Sequence, residues 1–326
     1  MIYFRNDFST DPRYNLALEE HIFRSGLDEP ALLLWRNEPS VIVGRFQNTV
    51  EEIDTDYIRE HGVHVVRRIT GGGAVYHDLG NLNYSFIVPR QQSAVDFRAF
   101  VAPLTEALAL LGVKTELSGR NDVLVEGRKF SGSAQYHQKG RTLHHGTILF
   151  DSDLDCVGRA LRVKQAKIES KGVKSVRSRV TNLSPYLPAG LSVLQFRDLL
   201  YERFAEMYDM REEVLPAADL AAVEALRRDK YDRWSWNYGS SPLFAITREE
   251  RLSCGMVQVN LNVEQGLIRE ARIFGDFFCN RDVGELEAAL SGVPYAYEDI
   301  RAALTKAGFD AYFPGVDIDG FCRMMF

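Results

Sequence analysis

Short apolar runs alternate with polar turn residues through the first 150 positions of the chain. Asp11-Pro12 is a helix start, and Leu16, Ala17 and Phe23 follow it at helical spacing. Apolar runs predict buried strands at residues 32–35, 41–43, 63–66, 123–125 and 146–150, with a further strand from residue 129 onward. Two more predicted strands, 75–77 and 84–88, flank the turn residues 78–81 as a hairpin, and an amphipathic helix covers 97–111. This pattern predicts an α+β fold with antiparallel hairpins rather than repeated strand–helix–strand units.

The second half of the chain changes character twice. A basic segment, Lys164–Asn182, carries six lysines and arginines against the single acid Glu169. Helices are predicted near 194–208 and 217–230, and the aromatic, turn-rich residues 231–242 follow them. Strands at 251–263 and 267–274 then flank a turn at 264–266, and two short helices complete a small α+β unit. We therefore predict a main domain over residues 1–246 and a C-terminal domain over 247–326.

Composition narrows the class of protein. The chain has 326 residues, of which 45% are hydrophobic and 26% charged, with a net charge of −6, so no general attraction to nucleic acid or acidic membranes is expected. No run reaches the roughly 18 apolar residues of a membrane span, and the start of the chain does not resemble a secretory signal. The four cysteines form no CxxC pair, which predicts reduced thiols and a cytoplasmic location.

The glycine run Gly71-Gly72-Gly73 is the first candidate site. Consecutive glycines let backbone N–H groups approach an anion, and the preceding Arg67 and Arg68 are placed to clamp a phosphate or carboxylate. The run fits neither the P-loop nor the dinucleotide-binding pattern, because a strand rather than a helix follows it. A flexible turn is the alternative, and the neighbouring His77-Asp78 favours the anion site.

Lys129, in Gly127-Arg128-Lys129-Phe130-Ser131-Gly132, is the second candidate. A lysine among small residues on a strand suggests an ammonium group directed into a pocket, where it would neutralise a phosphate and a carboxylate together. Asp122 is a candidate ligand for a Mg²⁺ ion that bridges phosphates. A solvent-facing lysine after a hairpin turn remains the alternative on spacing alone.

The histidine pair His144-His145 suggests a metal site at first sight, but no third ligand lies nearby in the sequence. Adjacent residues on a strand point to opposite faces, so the two imidazoles cannot easily share one metal ion. We expect one inward histidine that makes hydrogen bonds.

Several of these segments, in this order, resemble the lipoate–protein ligase A family. The resemblance rests on five segments: 11–20 (Asp-Pro…Asn-Leu-Ala-x-Glu-Glu), 67–78 around the glycine run, 127–134 around Lys129, His144-His145-Gly146-Thr147, and 174–182 (Lys-Ser-Val-Arg-Ser-Arg-Val-Thr-Asn). Trp234–Gly239 is similar to the aromatic end of the family's catalytic domain. The likeness spans nearly the whole chain and implies a catalytic domain that resembles that of biotin–protein ligases.

The resemblance implies a two-step reaction with ATP and Mg²⁺. Lipoate attacks the α-phosphate of ATP to give lipoyl-AMP and pyrophosphate, and a lysine of an acceptor domain then takes the lipoyl group and releases AMP. The implied acceptors are lipoyl domains of 2-oxoacid dehydrogenase E2 subunits and the glycine-cleavage H protein. It also implies a C-terminal domain that swings between the two steps, and we expect a monomer that binds neither nucleic acid nor membrane.

The resemblance also assigns roles to single residues. Lys129 contacts both the lipoyl carbonyl and the phosphate, and Lys164–Asn182 matches a loop that covers the adenylate. The expected ATP contacts are Arg68, Gly73, Ala74, Val75, Tyr76, Asn121, Asp122, Lys129, Lys174 and Arg177. The expected lipoate contacts are Leu16, Glu19, Trp35, Arg68, Thr70, Gly71, Gly72, His77, Lys129 and His145.

Three rival interpretations remain at this point. A lipoyltransferase that uses preformed lipoyl-AMP would keep the same motifs. An octanoyl or lipoyl amidotransferase needs an activated cysteine, and Cys156, the one cysteine of the catalytic region, lies beside carboxylates that would raise its pKa. A domain that only binds lipoylated partners leaves Lys129, Asp122 and the glycine run without a role.

Overall fold

The computed structural model describes residues 1–89, 97–119, 121–161, 179–238, 246–264 and 266–326. Its strands are β1 (Ile2–Arg5), β2 (Ala31–Trp35), β3 (Ser40–Val43), β4 (His64–Arg67), β5 (Val75–His77), β6 (Asn81–Val88), β7 (Glu116–Ser118), β8 (Asp122–Val125), β9 (Arg128–Gln138), β10 (Arg141–Leu149), β11 (Arg211–Glu213), β12 (Ile246–Leu252), β13 (Gly255–Glu264) and β14 (Leu267–Gly275). Its α-helices are α1 (Pro12–Arg24), α2 (Thr49–Glu52), α3 (Thr55–Glu60), α4 (Phe97–Leu110), α5 (Leu154–Ala160), α6 (Val193–Met207), α7 (Ala217–Leu226), α8 (Trp234–Asn237), α9 (Gly284–Leu290), α10 (Tyr297–Lys306) and α11 (Ile318–Met324). The predicted α+β class is confirmed.

A mixed eight-stranded sheet forms the centre of the main domain, in the order β11-β1-β2-β6-β10-β9-β8-β7. Strand β1 is parallel to β11 and β2, and the remaining neighbours are antiparallel. One face of the sheet packs its apolar side chains against α4 and α6. The other face packs against α1 and a small three-stranded sheet, β4-β3-β5. Because both faces of β2 are covered, all five of its residues are buried.

The predicted hairpin around residues 78–81 is wrong. Both strands exist, but β5 pairs with β3 in the small sheet, whereas β6 pairs with β2 and β10 in the large one. Gly80 turns the chain from one sheet to the other, and a Cβ there would lie 2.0 Å from the carbonyl oxygen of Asp151. The turn residues therefore indicated a reversal correctly, but they do not encode which strand becomes the partner.

The C-terminal residues form a second hydrophobic core around the antiparallel sheet β12-β13-β14. Three α-helices, α9 to α11, complete it, so the prediction of two was wrong. The predicted strand 251–263 is also wrong at its start, because a turn at 253–254 separates β12 from β13. Phe46 of the main domain joins this core by stacking on Phe277, with ring centroids 4.9 Å apart. None of the helices in the described ranges has the length and apolar character that crossing a membrane requires.

Candidate functional site

The floor of the candidate site is a row of residues that crosses five strands of the large sheet. Trp35 pairs with Asn83, Asn83 with Thr147, Thr147 with Gly132, and Gly132 with Asp122. All five line one cavity of about 460 Å³. Four inter-strand spacings separate the ends, which is about 19 Å at the usual distance between strands. The cavity therefore has two distinct ends, one at Trp35 and one at Asp122.

The cavity brings together most of the residues predicted from the sequence. Those that line it are Leu16, Trp35, Arg68, Gly72, Gly73, Ala74, Val75, His77, Asn121, Asp122, Lys129 and His145. Glu19, Thr70, Gly71 and Tyr76 are not among the lining residues, and Lys174 and Arg177 lie outside the described residues. On β5, Val75 and His77 face the cavity, whereas the Tyr76 side chain packs in the apolar cluster behind it. The Tyr76 side chain therefore faces away from the cavity, as alternation along the strand requires.

Lys129 carries the charge at the Asp122 end of the cavity. Its Nζ lies 2.6 Å from Asp122 Oδ1, and both side chains are between a third and two fifths exposed. The backbone carbonyl of Lys129 accepts a 2.8 Å hydrogen bond from Thr181 N, which anchors the described end of the basic segment beside it. Arg179 of that segment also lines the cavity. The Lys129 side chain therefore lines the cavity with its ammonium group beside Asp122.

Gly132 makes room for that ammonium group. A Cβ at this position would lie 2.8 Å from Lys129 Nζ and 3.0 Å from its Cε. We expect Gly132→Ala to displace the Lys129 side chain and to lower turnover about tenfold or more, since small misplacements of a reacting group are costly. Steady-state kinetics with a thermal unfolding control measure this. Turnover equal to wild type would contradict the role of Gly132.

The glycine run is held in shape by Arg68. Gly72 has a φ of +90°, a left-handed conformation that favours glycine. The Arg68 guanidinium donates hydrogen bonds of 2.7 and 2.8 Å to the carbonyl oxygens of Gly71 and Gly73, and it also binds Thr70 Oγ1 and the Ile42 carbonyl. Burial lowers its pKa to about 10, so it is charged at neutral pH. Arg68 lines the cavity and braces the loop at the same time.

Arg67 does not clamp a ligand, which corrects the expectation for the arginine pair. Its guanidinium is buried and donates to the carbonyl oxygens of Gly44, Arg45, Gln47 and Trp236 at 2.7–2.9 Å. Arg67 ends strand β4 and Arg68 follows it, and the two guanidinium groups bind different sets of carbonyl oxygens. Arg67 instead joins the segment after β3 to the aromatic segment at Trp236.

His145 is the inward histidine expected from the His144-His145 pair. Its Nδ1 lies 2.9 Å from the buried Glu19 carboxylate, and its Nε2 lies 2.8 Å from Thr70 Oγ1. Ser85 Oγ donates to the same carboxylate. Glu19 and Thr70 therefore orient His145 from behind the cavity wall. His144 points to the opposite face and stacks on Phe100, with centroids 5.2 Å apart.

The described residues contain no cluster of three or more His, Cys, Asp or Glu side chains that could hold a metal ion. No cysteine is among the described residues that line the cavity, and Cys156 instead accepts a hydrogen bond from Tyr57. A thiol nucleophile at this site, as the amidotransferase interpretation requires, finds no support in the described geometry.

His77 is a buried, neutral imidazole at the Trp35 end. Burial, with a smaller contribution from the Arg68 charge, lowers its pKa to about 3. Because this lies below the unfolded value of about 6.5, the unfolded state takes up a proton first, and stability is lost as the pH falls from about 6.5 towards 3. We expect wild type to lose about 2 kcal/mol more unfolding free energy than His77→Gln between pH 7.5 and pH 5. Urea unfolding at both pH values tests this, and equal losses would contradict it.

The C-terminal domain contributes three cavity residues that the sequence did not indicate, Arg251, Asp276 and Phe278. Gly72 N donates to the carbonyl of Phe277 at 3.3 Å, so the glycine run touches this domain directly. Arg45 of the main domain also forms a 2.5 Å ion pair with Asp282 of the C-terminal domain. No local motif marks these positions, because they join the site only through the packing of one domain on the other.

Comparison with known families gives two matches. Residues 11–205 match the family described as the lipoyl protein ligase A/B catalytic domain, and residues 241–325 match the bacterial lipoate protein ligase C-terminus. The lipoate-protein ligase LplJ of Bacillus subtilis is 43% identical, and the alignment covers 100% of both chains.

Solved structures agree with these matches. The crystal structure of Plasmodium falciparum LipL1 in complex with lipoate has a TM-score of 0.78 at 25% identity, over 99% of this chain and 97% of that one. A lipoate-protein ligase A bound with ATP has a TM-score of 0.62 at 31% identity, over 73% of this chain and 98% of that one. A bipartite lipoate protein ligase from Thermoplasma acidophilum, described with its E2 lipoyl domain, has a TM-score of 0.65 at 32% identity, over 75% and 98%.

Proposed function

Because this chain belongs to the lipoate–protein ligase family, we propose that its cavity joins lipoate to ATP and passes the lipoyl group to a protein lysine. One observation carries the proposal: a single cavity connects an uncharged end at Leu16 and Trp35 with a charged end at Lys129 and Asp122, beneath a glycine run. An acyl chain fits the first end, and a carboxylate next to a phosphate fits the second.

In the first step, a carboxylate oxygen of lipoate attacks the α-phosphorus of ATP, and pyrophosphate leaves. Both reactants are anionic, so their approach needs positive charge at the point where they meet. We assign this role to Lys129 Nζ, which would donate hydrogen bonds to both reactants. In the second step, the acceptor's neutral lysine amine attacks the lipoyl carbonyl, AMP leaves, and the amide forms. The protein positions the reactants and neutralises charge, and it forms no covalent bond to the substrate.

Binding of the nucleotide is assigned to the residues around the glycine run. The proposed contacts are Gly73, Ala74, Val75 and Asn121, with Lys174 and Arg177 supplied by the basic segment. Arg68 preserves the conformation of the run through its hydrogen bonds to Gly71 and Gly73. Lipoate is assigned to Leu16, Trp35, Gly72, His77 and His145. Glu19 and Thr70 orient the His145 ring.

Asp122 fits the role of a Mg²⁺ ligand. Carboxylate oxygens suit this ion, which typically binds through one or two carboxylates together with substrate phosphates. In the described residues that line the cavity, the carboxylates are Asp122 and Asp276. Asp122 pairs with Lys129 here and would exchange that partner for the ion, which releases the ammonium group towards the substrate. When bound, Mg²⁺ would neutralise phosphate charge.

The proposal also covers the acceptor protein, the cellular location of the enzyme and its oligomeric state. The acceptor is a lipoyl domain of a 2-oxoacid dehydrogenase E2 subunit or the glycine-cleavage H protein, and the similarity to a ligase described with its E2 lipoyl domain supports the first. None of the four cysteines forms a disulfide, and this supports the proposed cytoplasmic location. We also propose a monomer whose domains span 1–246 and 247–326.

A lipoate-dependent exchange of pyrophosphate into ATP tests the proposal directly, because only an enzyme that forms lipoyl-AMP reversibly catalyses it. We expect exchange with lipoate and none without it. Supplying synthetic lipoyl-AMP and an acceptor domain separates the two steps. Transfer without exchange would contradict the ligase and identify a lipoyltransferase instead.

A further inference from the structure

Two buried nitrogen atoms at the Trp35 end of the cavity have no hydrogen-bond partner among the described residues. They are His77 Nε2 and Asn83 Nδ2, on side chains that are at most 3% exposed and that line the cavity. A buried polar atom without a partner is unfavourable, because it has lost its hydrogen bonds to water. A pair of them in a ligand cavity therefore indicates that the ligand supplies an acceptor.

Neighbouring carbonyl groups fix which nitrogen of His77 carries its proton. Asn15 Nδ2 lies 2.8 Å from the Arg36 carbonyl and 3.3 Å from that of Ser9, and a carbonyl oxygen only accepts, so this atom is the amide nitrogen. It also donates to Asn37 Oδ1 at 2.9 Å. Asn37 Nδ2 is then the donor to His77 Nδ1 at 3.0 Å. With Nδ1 as acceptor, the neutral ring carries its proton on Nε2.

Asn83 supplies a second N–H through its pairing with Asn81. Asn83 Oδ1 accepts a 2.9 Å hydrogen bond from Asn81 Nδ2, which leaves Asn83 Nδ2 as the donor. The His77 ring stays neutral at physiological pH because burial holds its pKa at about 3. Both groups thus offer N–H bonds without bringing a positive charge into the cavity.

These donors lie far from the reacting groups. The His77 ring contacts Trp35 edge-on, with centroids 6.3 Å apart, and Asn83 pairs directly with Trp35 across the sheet. Trp35 and Asp122 are the two ends of the row of residues that forms the floor of the cavity. If the carboxylate of the substrate meets Lys129 beside Asp122, the donors face the far end of the acyl chain.

We propose that His77 Nε2–H, with Asn83 as the second donor, recognises the ring disulfide of lipoate and so makes the cavity prefer lipoate to octanoate. The proposal rests on the proposed function and adds the specificity of the acyl site. A ring sulfur is a weak hydrogen-bond acceptor. Octanoate has the same carboxylate and a chain of the same length, but it has no acceptor at its far end and leaves both donors unmatched.

The test compares kcat/KM for adenylate formation with lipoate and with octanoate. We expect His77→Leu to lower the lipoate-to-octanoate ratio about three- to tenfold, the factor of one modest hydrogen bond, chiefly through a higher KM for lipoate. His77→Gln, whose amide nitrogen replaces Nε2–H, should retain most of the preference.

His144→Gln is the matched control, since His144 is equally buried but stacks on Phe100 on the opposite face of the sheet. The lipoate-to-octanoate ratio of the His144→Gln enzyme should equal that of wild type. The proposal is overturned if His77→Leu slows both acids equally, or if wild type uses both equally well. A wild type that adenylates neither acid refutes the proposed function instead, and the ratio is then measured on transfer from lipoyl-AMP and octanoyl-AMP.

Discussion

Lys129→Ala should lower lipoyl-adenylate formation about a hundred- to a thousandfold, the usual effect of removing one group that stabilises developing charge. The expectation follows from the position of its Nζ, 2.6 Å from Asp122 at the charged end of the cavity. Because the Lys129 side chain is more than a third exposed, its ion pair adds little to stability, and the midpoint of thermal unfolding should change little. Pyrophosphate exchange measures the first effect and calorimetry the second.

Arg128→Ala is the matched control for this experiment. Arg128 precedes Lys129 on β9, so its side chain leaves the opposite face, where it donates to Tyr186 Oη at 2.7 Å. It should retain most of the exchange activity. An active Lys129→Ala enzyme, or an Arg128→Ala enzyme that is equally impaired, would remove the case for a specific role of Lys129.

Arg67→Ala should destabilise the protein by about 2–5 kcal/mol, because each buried carbonyl oxygen that loses its donor costs about 1–3 kcal/mol. The Arg67 guanidinium donates to the carbonyl oxygens of Gly44, Arg45 and Gln47. Its loss removes this donor from all three, and among the described residues only the Gly44 oxygen keeps another hydrogen bond, from Gln47 N. Urea unfolding gives the free energy. We also expect weaker ligand binding, because the freed segment contains Arg45 and Phe46, which contact the C-terminal domain.

Arg59→Ala provides the comparison, since Arg59 is 73% exposed and pairs only with the equally exposed Asp56 among the described contacts. Its removal should cost less than about 0.5 kcal/mol. If the two substitutions cost the same, Arg67 would not brace the fold as described.

Local sequence patterns predicted the helices and strands with little error where the apolar periodicity was strong. Helices α1, α4 and α6 and strands β2, β3 and β6 lie where the apolar spacing placed them, because each buries a continuous apolar face. The pairing of strands within the sheets was less predictable. The false hairpin of β5 with β6 arose because a turn fixes where a chain reverses but not which strand it meets.

The candidate site was predictable to the extent that its residues sit in contiguous motifs. The Lys129 segment and the glycine run are local, and both contribute to one cavity. Asn83, Arg251, Asp276 and Phe278 are missing from the prediction because they enter the cavity by sheet register or domain contact. The difference between Arg67 and Arg68 was equally hidden, since only burial and hydrogen-bond geometry show that Arg67 serves the fold.

The sequence by itself determined the chemical groups of this protein: a glycine run, a lysine among small residues and a set of ordered motifs that identify the family. The tertiary structure alone decided how these groups are arranged. The register of five strands places Trp35 and Asp122 at opposite ends of one cavity. A chain of amides from Asn15 to His77 likewise settles which nitrogen carries a proton. Both depend on contacts between residues far apart in the chain, and such contacts leave no mark in local spacing.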